Sequence, residues 1–453
     1  MKGNKLALKL LVLLMIFSMS IPISSAQVVW VDGGLIGDLL LTGTHEYQEL
    51  CFITGEPILL KGTVKLPVIP TDKLAYTLKY TFELSNAAKG ITLERDLTYS
   101  VTKTVNDSIN QTSYVKKMTQ YDETITTAGG VYTLGKYTFA DSRLEDNTPA
   151  VDYISGNILA ERTYYLNGDY LTNSGHVTYQ IVTKPVVGYA HLYGSNETLV
   201  VQQIINSYKP NPNYDPNVYN SQEYSVWSGS VDIGMSSTKT VKYDYQHTDP
   251  QSISFRGNYF KISSEENVLT YKYSLPKITG GVVDPASTKN VTGEMNLSKN
   301  VMLETTALVT PKIRDIGGFW AEDEIFLLTS MEIFDVEREY FVPTATISRL
   351  DFGKAIVVAT HGVLPTPTKT EVVKRQRPGV DTPFLDVMKD DPEYHYIEFI
   401  AANDIMVGKN GYFKPNEVLT RAEAIAILIK ALGLQYAAPA APYNTSFVDD
   451  KDI

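Results

Sequence analysis

Two arginines 72 residues apart each follow a hydroxyl residue: Arg349 in Ser348-Arg349-Leu350-Asp351 and Arg421 in Thr420-Arg421-Ala422-Glu423. A hydroxyl followed three residues later by an acid, just ahead of an apolar run, is the signature of a capping box, so Ser348 and Thr420 read as N-caps and Asp351 and Glu423 as their partners. Each arginine then occupies the first helical position. A guanidinium there is poor for helix stability, yet beside the free amides of a first turn it suits the capture of an anion. A solvated or salt-bridged surface arginine fits the same residues, and recurrence in two copies is what raises the anion reading. Other patterns are absent or spoiled. Gly130 to Lys136 has phosphate-loop spacing, but Tyr137 replaces the metal-binding Ser or Thr, and Val131, Tyr132 and Thr133 favour a strand. No HExxH or GxSxG occurs, and the six histidines lack ligand spacing. Asp and Asn around Asp215 do not follow the EF-hand order. A hydrolytic carboxylate pair cannot be singled out among 51 acids. No catalytic residue, metal or cofactor is assigned.

The arginines sit in a repeat. At one offset of 72, Ile333 matches Ile405, Phe341 matches Phe413, Pro343 matches Pro415 and Asp351 falls on Glu423. Apolar residues at helical spacing flank them: Ile325, Leu328 and Ile333, then Phe352, Ala355, Ile356 and Ala359 in the first copy. The second has Ile397, Ile400, Ala401 and Ile405, then Ile425, Leu428, Ile429 and Leu432. Gly433 supplies a helix stop.

Before residue 311 the period is two. Leu74, Tyr76, Leu78, Tyr80, Phe82 and Leu84 alternate with polar neighbours, as do Leu269, Tyr271, Tyr273 and Leu275, and Val241, Tyr243 and Tyr245. Gly129-Gly130, Asn167-Gly168 and Gly280-Gly281 signal turns, with Asn167-Gly168 the best short hairpin. The expected fold is therefore multidomain: a mainly antiparallel, sandwich-like β region over 27–310, followed by helical repeats. The β region holds one or two sandwiches, and an internal boundary, if there is one, falls at 209–220. Thirty Tyr against 15 Phe suits half-exposed strands.

Lys2, Lys5 and Lys9, the apolar run Leu10 to Phe17 and Ser24-Ser25-Ala26 read as a signal peptide over 1–26, which places the product outside the cell. No later stretch is long and apolar enough for a membrane span. The net charge of −11, or −14 once the leader's three lysines are gone, sets a nucleic-acid partner aside. Cys51 is the lone cysteine, so the core and not a disulfide must stabilise the fold.

The repeats resemble the S-layer homology family, which reads as an F-x-D-V start, an aromatic-led helix, an F-x-P segment and a T-R-A-E helix start. The first copy, 311–362, has Asp315-Ile316, Trp320, Phe341-Val342-Pro343 and Ser348-Arg349. The second, 383–434, has Phe384-Leu385-Asp386-Val387, Gly408, Gly411, Phe413-Lys414-Pro415 and Thr420-Arg421-Ala422-Glu423. A truncated third begins at Phe447-Val448-Asp449 within 447–453. Connectors at 363–382, which carries Lys369, Lys374, Arg375 and Arg377, and at 435–446 space the copies. Val336 stands where the second copy has Gly408, so a left-handed glycine is not expected there.

This resemblance implies a non-covalent anchor to a secondary cell-wall polysaccharide that is anionic and carries carboxylates such as ketal-linked pyruvate. Arg349 and Arg421 would pair the carboxylates. Asp315, Asp386 and Asp449 would line the groove, Asp315 and Asp386 equally fit a cap on the first turn of a nearby helix, and Trp320 would stack on a sugar ring or pack in the bundle core. The expected protein is a non-enzymatic cell-surface component with self-association in a surface lattice. The alternative is an anchored extracellular polysaccharide hydrolase with its site in the β region.

Overall fold

The computed structural model describes residues 32–36, 43–70, 72–168, 175–211, 214–218, 221–245, 259–279, 282–284, 289–364 and 382–437. The leader at 1–26, Gly280-Gly281, most of both connectors with their four cations, and the third copy with Asp449 lie outside the described residues.

The chain runs β1 (Leu35–Ile36), β2 (Gly43–Cys51), β3 (Ile58–Leu66), β4 (Ala75–Asn86), β5 (Ile91–Asn106), β6 (Gln111–Thr127), β7 (Gly130–Asn147) and β8 (Asp152–Leu166). It continues through β9 (His176–Thr183), β10 (Val186–His191), β11 (Gly194–Pro210), β12 (Tyr224–Tyr245), β13 (Tyr259–Leu275), a hairpin of β14 (Ile278–Thr279) and β15 (Val282–Val283), and β16 (Val291–Ala307). Among the described residues fourteen strands form one antiparallel sheet. Neighbours follow chain order up to β8; β9 and β10 then lie end to end between β8 and β11, and β16 pairs with β13.

One sheet thus takes the place of the one or two packed sandwiches expected, because successive strands from β1 to β8 and from β10 to β13 keep pairing in one ladder. Residues 209–220 illustrate this: Lys209 and Pro210 still belong to β11, and Pro210 pairs with Tyr224 across the loop. The sheet rolls until its ends meet. β1 lies against β16, and the Tyr271 hydroxyl of β13 accepts from the Leu50 amide and donates to the Asp32 carbonyl. The inward phase of the alternation, from Tyr47 through Leu93, Tyr164 and Val231 to Leu275, makes a single core. Leu74 falls just before β4 and is exposed. Asn167 and Gly168 both take positive φ, 56° and 69°, as a hairpin turn requires, but eight further residues separate Asn167 from His176 at the start of β9, too many for a two-residue hairpin. Gly130 starts β7 and the strand continues through Lys136, leaving no phosphate loop.

Charge interrupts the apolar phase. Glu49, Arg95, Glu123 and Arg162 occupy inward positions of β2, β5, β6 and β8, and all are buried with Asp32. Arg95 donates to Glu49 through both Nη atoms at 3.0 Å and to Glu123 at 2.9 Å. Arg162 clasps Asp32 with both Nη atoms, one at 2.8 Å. The guanidinium groups also face aromatic rings, Arg95 over Phe82 at 5.2 Å and Arg162 over Tyr179 at 4.7 Å. Burial pushes the Asp32 carboxyl up, but Arg162 and Arg95 outweigh it and hold it below the usual range. At Glu49 burial wins over Arg95 and the carboxyl titrates above its usual range. Cys51, also buried, has its thiol pushed up to about 12 by burial.

Truncating one partner of a buried ion pair strands the other. Arg162→Ala should therefore cost roughly 3–5 kcal/mol, whereas Asp32→Leu combined with Arg162→Met should recover much of it. Urea-unfolding midpoints of the three proteins check the order.

Candidate functional site

Among the described residues four short α-helices follow the sheet: α1 (Glu322–Ser330), α2 (Arg349–His361), α3 (Tyr394–Ala402) and α4 (Arg421–Ala431). Adding 72 to the bounds of α1 gives those of α3, and α4 starts 72 residues after α2. The repeat extends to the backbone. Glu332 and Asp404 take φ of 61° and 51°, and Val342 and Lys414 both take 56°. Such values are uncommon for residues with a Cβ, and an aspartate in each copy holds one of the two places. Asp315 accepts from the Phe341 and Val342 amides at 2.8 and 2.7 Å, and Asp386 accepts from Phe413 and Lys414 at the same two distances. The Asp315 carboxyl is held below its usual range by the Phe341 amide, joined by that of Val342. Both acids thus clamp the F-x-P segments, which is not the cap on the first turn of a nearby helix that the sequence offered as their structural duty.

The caps form as read. Ser348 Oγ accepts from the Asp351 amide at 3.1 Å and Thr420 Oγ1 from the Glu423 amide at 3.2 Å. Glu423 returns a bond to the Thr420 amide at 2.9 Å, completing the box. Asp351, one methylene shorter, meets the Ser348 hydroxyl at 2.7 Å instead. Gly433 ends α4 at φ 69°. Gly408 is not left-handed; Gly411 is, at φ 82°. Gly408 lacks a side chain for a different reason, since a Cβ there would come within 2.7 Å of the Phe384 ring.

The two arginines part company. The first-turn amides of α2 are not free: Arg349 N donates to the Glu417 carbonyl at 2.9 Å and Leu350 N to that of Pro415 at 3.0 Å. The Arg349 side chain follows them, with Nε to Phe413 O at 2.9 Å and Nη2 to Val407 O at 3.0 Å. Its guanidinium lies 5.6 Å from the Phe413 ring centroid. Arg349 therefore fastens the first copy to the second, and the anion site expected at this helix end is filled by backbone carbonyls. Arg421 is exposed and makes no hydrogen bond or ion pair among the described residues, and the first two amides of α4 likewise stay open there. Sequence reasoning missed the carbonyl partners, because no side-chain pattern marks them.

The second helices differ in the same sense. Ala355, Ile356, Val357 and Val358 of α2 are buried in one core with Ile397, Ile400, Ile405 and Phe413 of the second copy. In α4 only Ile427 and Ala431 are buried, while the stripe Ile425, Leu428, Ile429 and Leu432 expected to face a core is exposed. Trp320 is 85% exposed, so its indole is not the core residue that was one of its two readings. Its ring centroid lies 5.7 Å from that of Phe319. The described histidines form no metal-binding group with Cys, Asp or Glu; His176 and His191 stack on Tyr208 and Tyr189.

Arg349→Ala removes two bonds from a charged donor and should lower the stability of the helical part by about 2 kcal/mol. Arg421→Ala should leave it unchanged, and Thr420→Ala should cost about 1 kcal/mol. Thermal unfolding followed by far-ultraviolet dichroism of the three variants tests the assignment.

No curated protein and no solved structure matches the chain. A family model described as S-layer homology domain matches residues 383–425, the stretch from the Asp386 clamp through α3 to the Arg421 end of α4. The chain therefore carries an S-layer homology domain match over residues 383–425, within its second helical copy.

Proposed function

We propose that this is an exported surface protein of S-layer type, held non-covalently on the cell wall by its helical copies while the rolled sheet faces outward. Association with the cell surface is what an S-layer homology domain brings, and domains of this family bind cell-wall polysaccharides. The finer reading rests on one observation: Arg421 projects from an open helix start within the matched segment, free of the carbonyls that occupy Arg349. A planar guanidinium there pairs both oxygens of a carboxylate, such as pyruvate in ketal linkage on the glycan, and the open amides of α4 add to the attraction. Trp320 offers its exposed face to a sugar ring. Asp315 and Asp386 shape the loops. The net negative charge of the chain does not oppose this contact, since charges beyond ~8 Å are largely screened at physiological salt.

The sheet acts in this reading without catalysis, and lattice contacts run through its outer face. The carboxylates that the fold gathers, Asp32, Glu49 and Glu123, support that view, because they are buried and clamped by Arg95 and Arg162. A hydrolase needs its acid pair open to a sugar chain.

Co-sedimentation with purified wall sacculi tests the anchor. The protein should pellet with intact sacculi and stay in solution once the accessory glycan is stripped. Arg421→Ala should weaken binding roughly tenfold or more, the usual worth of a charge-assisted contact. Equal binding to stripped walls, or full retention by the variant, would refute the assignment.

A further inference from the structure

The sheet has one parted seam. β6 and β7 pair from Gln111↔Asp146 to Lys117↔Ala140 and again from Thr124↔Thr133 to Thr127↔Gly130. Between these runs Met118 to Glu123 and Leu134 to Phe139 face each other without a ladder. A bulge on the β5 side, at Thr98/Tyr99, and another on the β8 side, between Leu134 and Lys136, flank the opening. Side chains bridge it in part, as Tyr121 donates to the Gly135 carbonyl at 3.2 Å.

On the rung next to the last before the seam opens, Lys116 and Asp141 are direct cross-strand partners. Lys116 Nζ lies 3.8 Å from Asp141 Oδ2, too far for a hydrogen bond, and the two side chains are only 15% and 4% exposed. The Lys116 nitrogen sits over the Tyr99 ring at 4.7 Å and that of Phe139 at 5.5 Å. Arg143 reaches Asp141 Oδ1 with Nε at 3.7 Å and Glu197 of β11 with Nη2 at 3.1 Å, so it draws a second buried carboxyl to the pair. Asp141 Oδ1 is buried and accepts no hydrogen bond, whereas Glu197 accepts one from Arg143 Nη1 on Oε2 at 3.3 Å. Burial lowers the Lys116 pKa to about 8, with Arg143 adding to the effect and Asp141 and Glu197 opposing it. Burial likewise raises the Glu197 carboxyl, against Arg143. An ion pair this dry and this poorly bonded is unfavourable, and its neutral forms are an amine and a carboxylic acid.

We propose that Lys116 and Asp141 condense to an intramolecular amide that staples β6 to β7 beside the parted seam. A proton passes from Lys116 Nζ to Asp141 Oδ2 within the pair, the freed Nζ lone pair attacks Cγ, and an N–C bond forms. Glu197 takes the proton released from Nζ and returns it to the departing Oδ2, so the C–O bond breaks and one water leaves. Oδ1 remains as the amide oxygen beside Arg143 Nε, and Glu197 ends as it began, paired with Arg143. The step needs no oxidant, metal or activated co-reactant, and it replaces two buried charges by one neutral group.

Tandem mass spectrometry of a protease digest of the purified, folded chain reads this directly. The expected product is one branched peptide containing Lys116 and Asp141, lighter by one water than its two linear parts. Lys116→Arg, which keeps the cation but cannot be joined, and Glu197→Gln should both give the two linear peptides at full mass. Linear peptides at full mass from the wild-type chain would overturn the proposal, as would a water loss mapped to other residues. A Glu197→Gln chain that still gives the branched peptide would overturn the role of Glu197 as proton carrier.

Discussion

A buried guanidinium has to be met by carboxylates. In the rolled sheet that requirement is satisfied twice, by Arg95 with Glu49 and Glu123 and by Arg162 with Asp32. These contacts join residues far apart in sequence: β2, β5, β6 and β8 meet at one place, and the segment ahead of β1 is pulled into the core. The Tyr271 hydroxyl then links that same segment to β2 and β13. Apolar burial drives the roll, but it is non-directional. The ionic contacts have geometry, and they fix which strands face each other. Leaving any one of these charges alone in the core would cost more than the pair contributes.

The helical part answers the same requirement at a smaller scale. A positive helix end must find acceptors, and α2 finds them in the carbonyls of Pro415 and Glu417, with Arg349 reaching Val407 and Phe413. The first copy thus presents its helix start to the loop of the second. The start of α4 repeats the arrangement with Arg421 but, among the described residues, without those carbonyls, and on this difference the proposed glycan contact at Arg421 rests.

Much of this was legible in the sequence. The offset of 72, the caps at Ser348 and Thr420 and the alternation through Tyr80, Phe82 and Leu84 all carry over into the coordinates, because each is a local rule. The closure of one long sheet was not legible, since it depends on which distant strands face each other. The ionic core did leave a trace: Arg95 sits in phase with Ile91, Leu93, Leu97 and Tyr99, and Arg162 with Ile158, Ala160 and Tyr164. A charge on the apolar phase of a strand is a buried charge awaiting partners. The division of labour between Arg349 and Arg421 could not be read, because backbone carbonyls leave no mark in the side-chain pattern. Nor could the exposed stripe of α4, whose residues are as apolar as those buried in α2.

Hydrogen–deuterium exchange of the whole chain on and off wall sacculi addresses the central claim most directly. The account predicts new protection at the loop carrying Trp320 and at the start of α4 around Arg421, with the rolled sheet unchanged. Protection confined to the sheet, or no change anywhere on a chain that has bound, would contradict it.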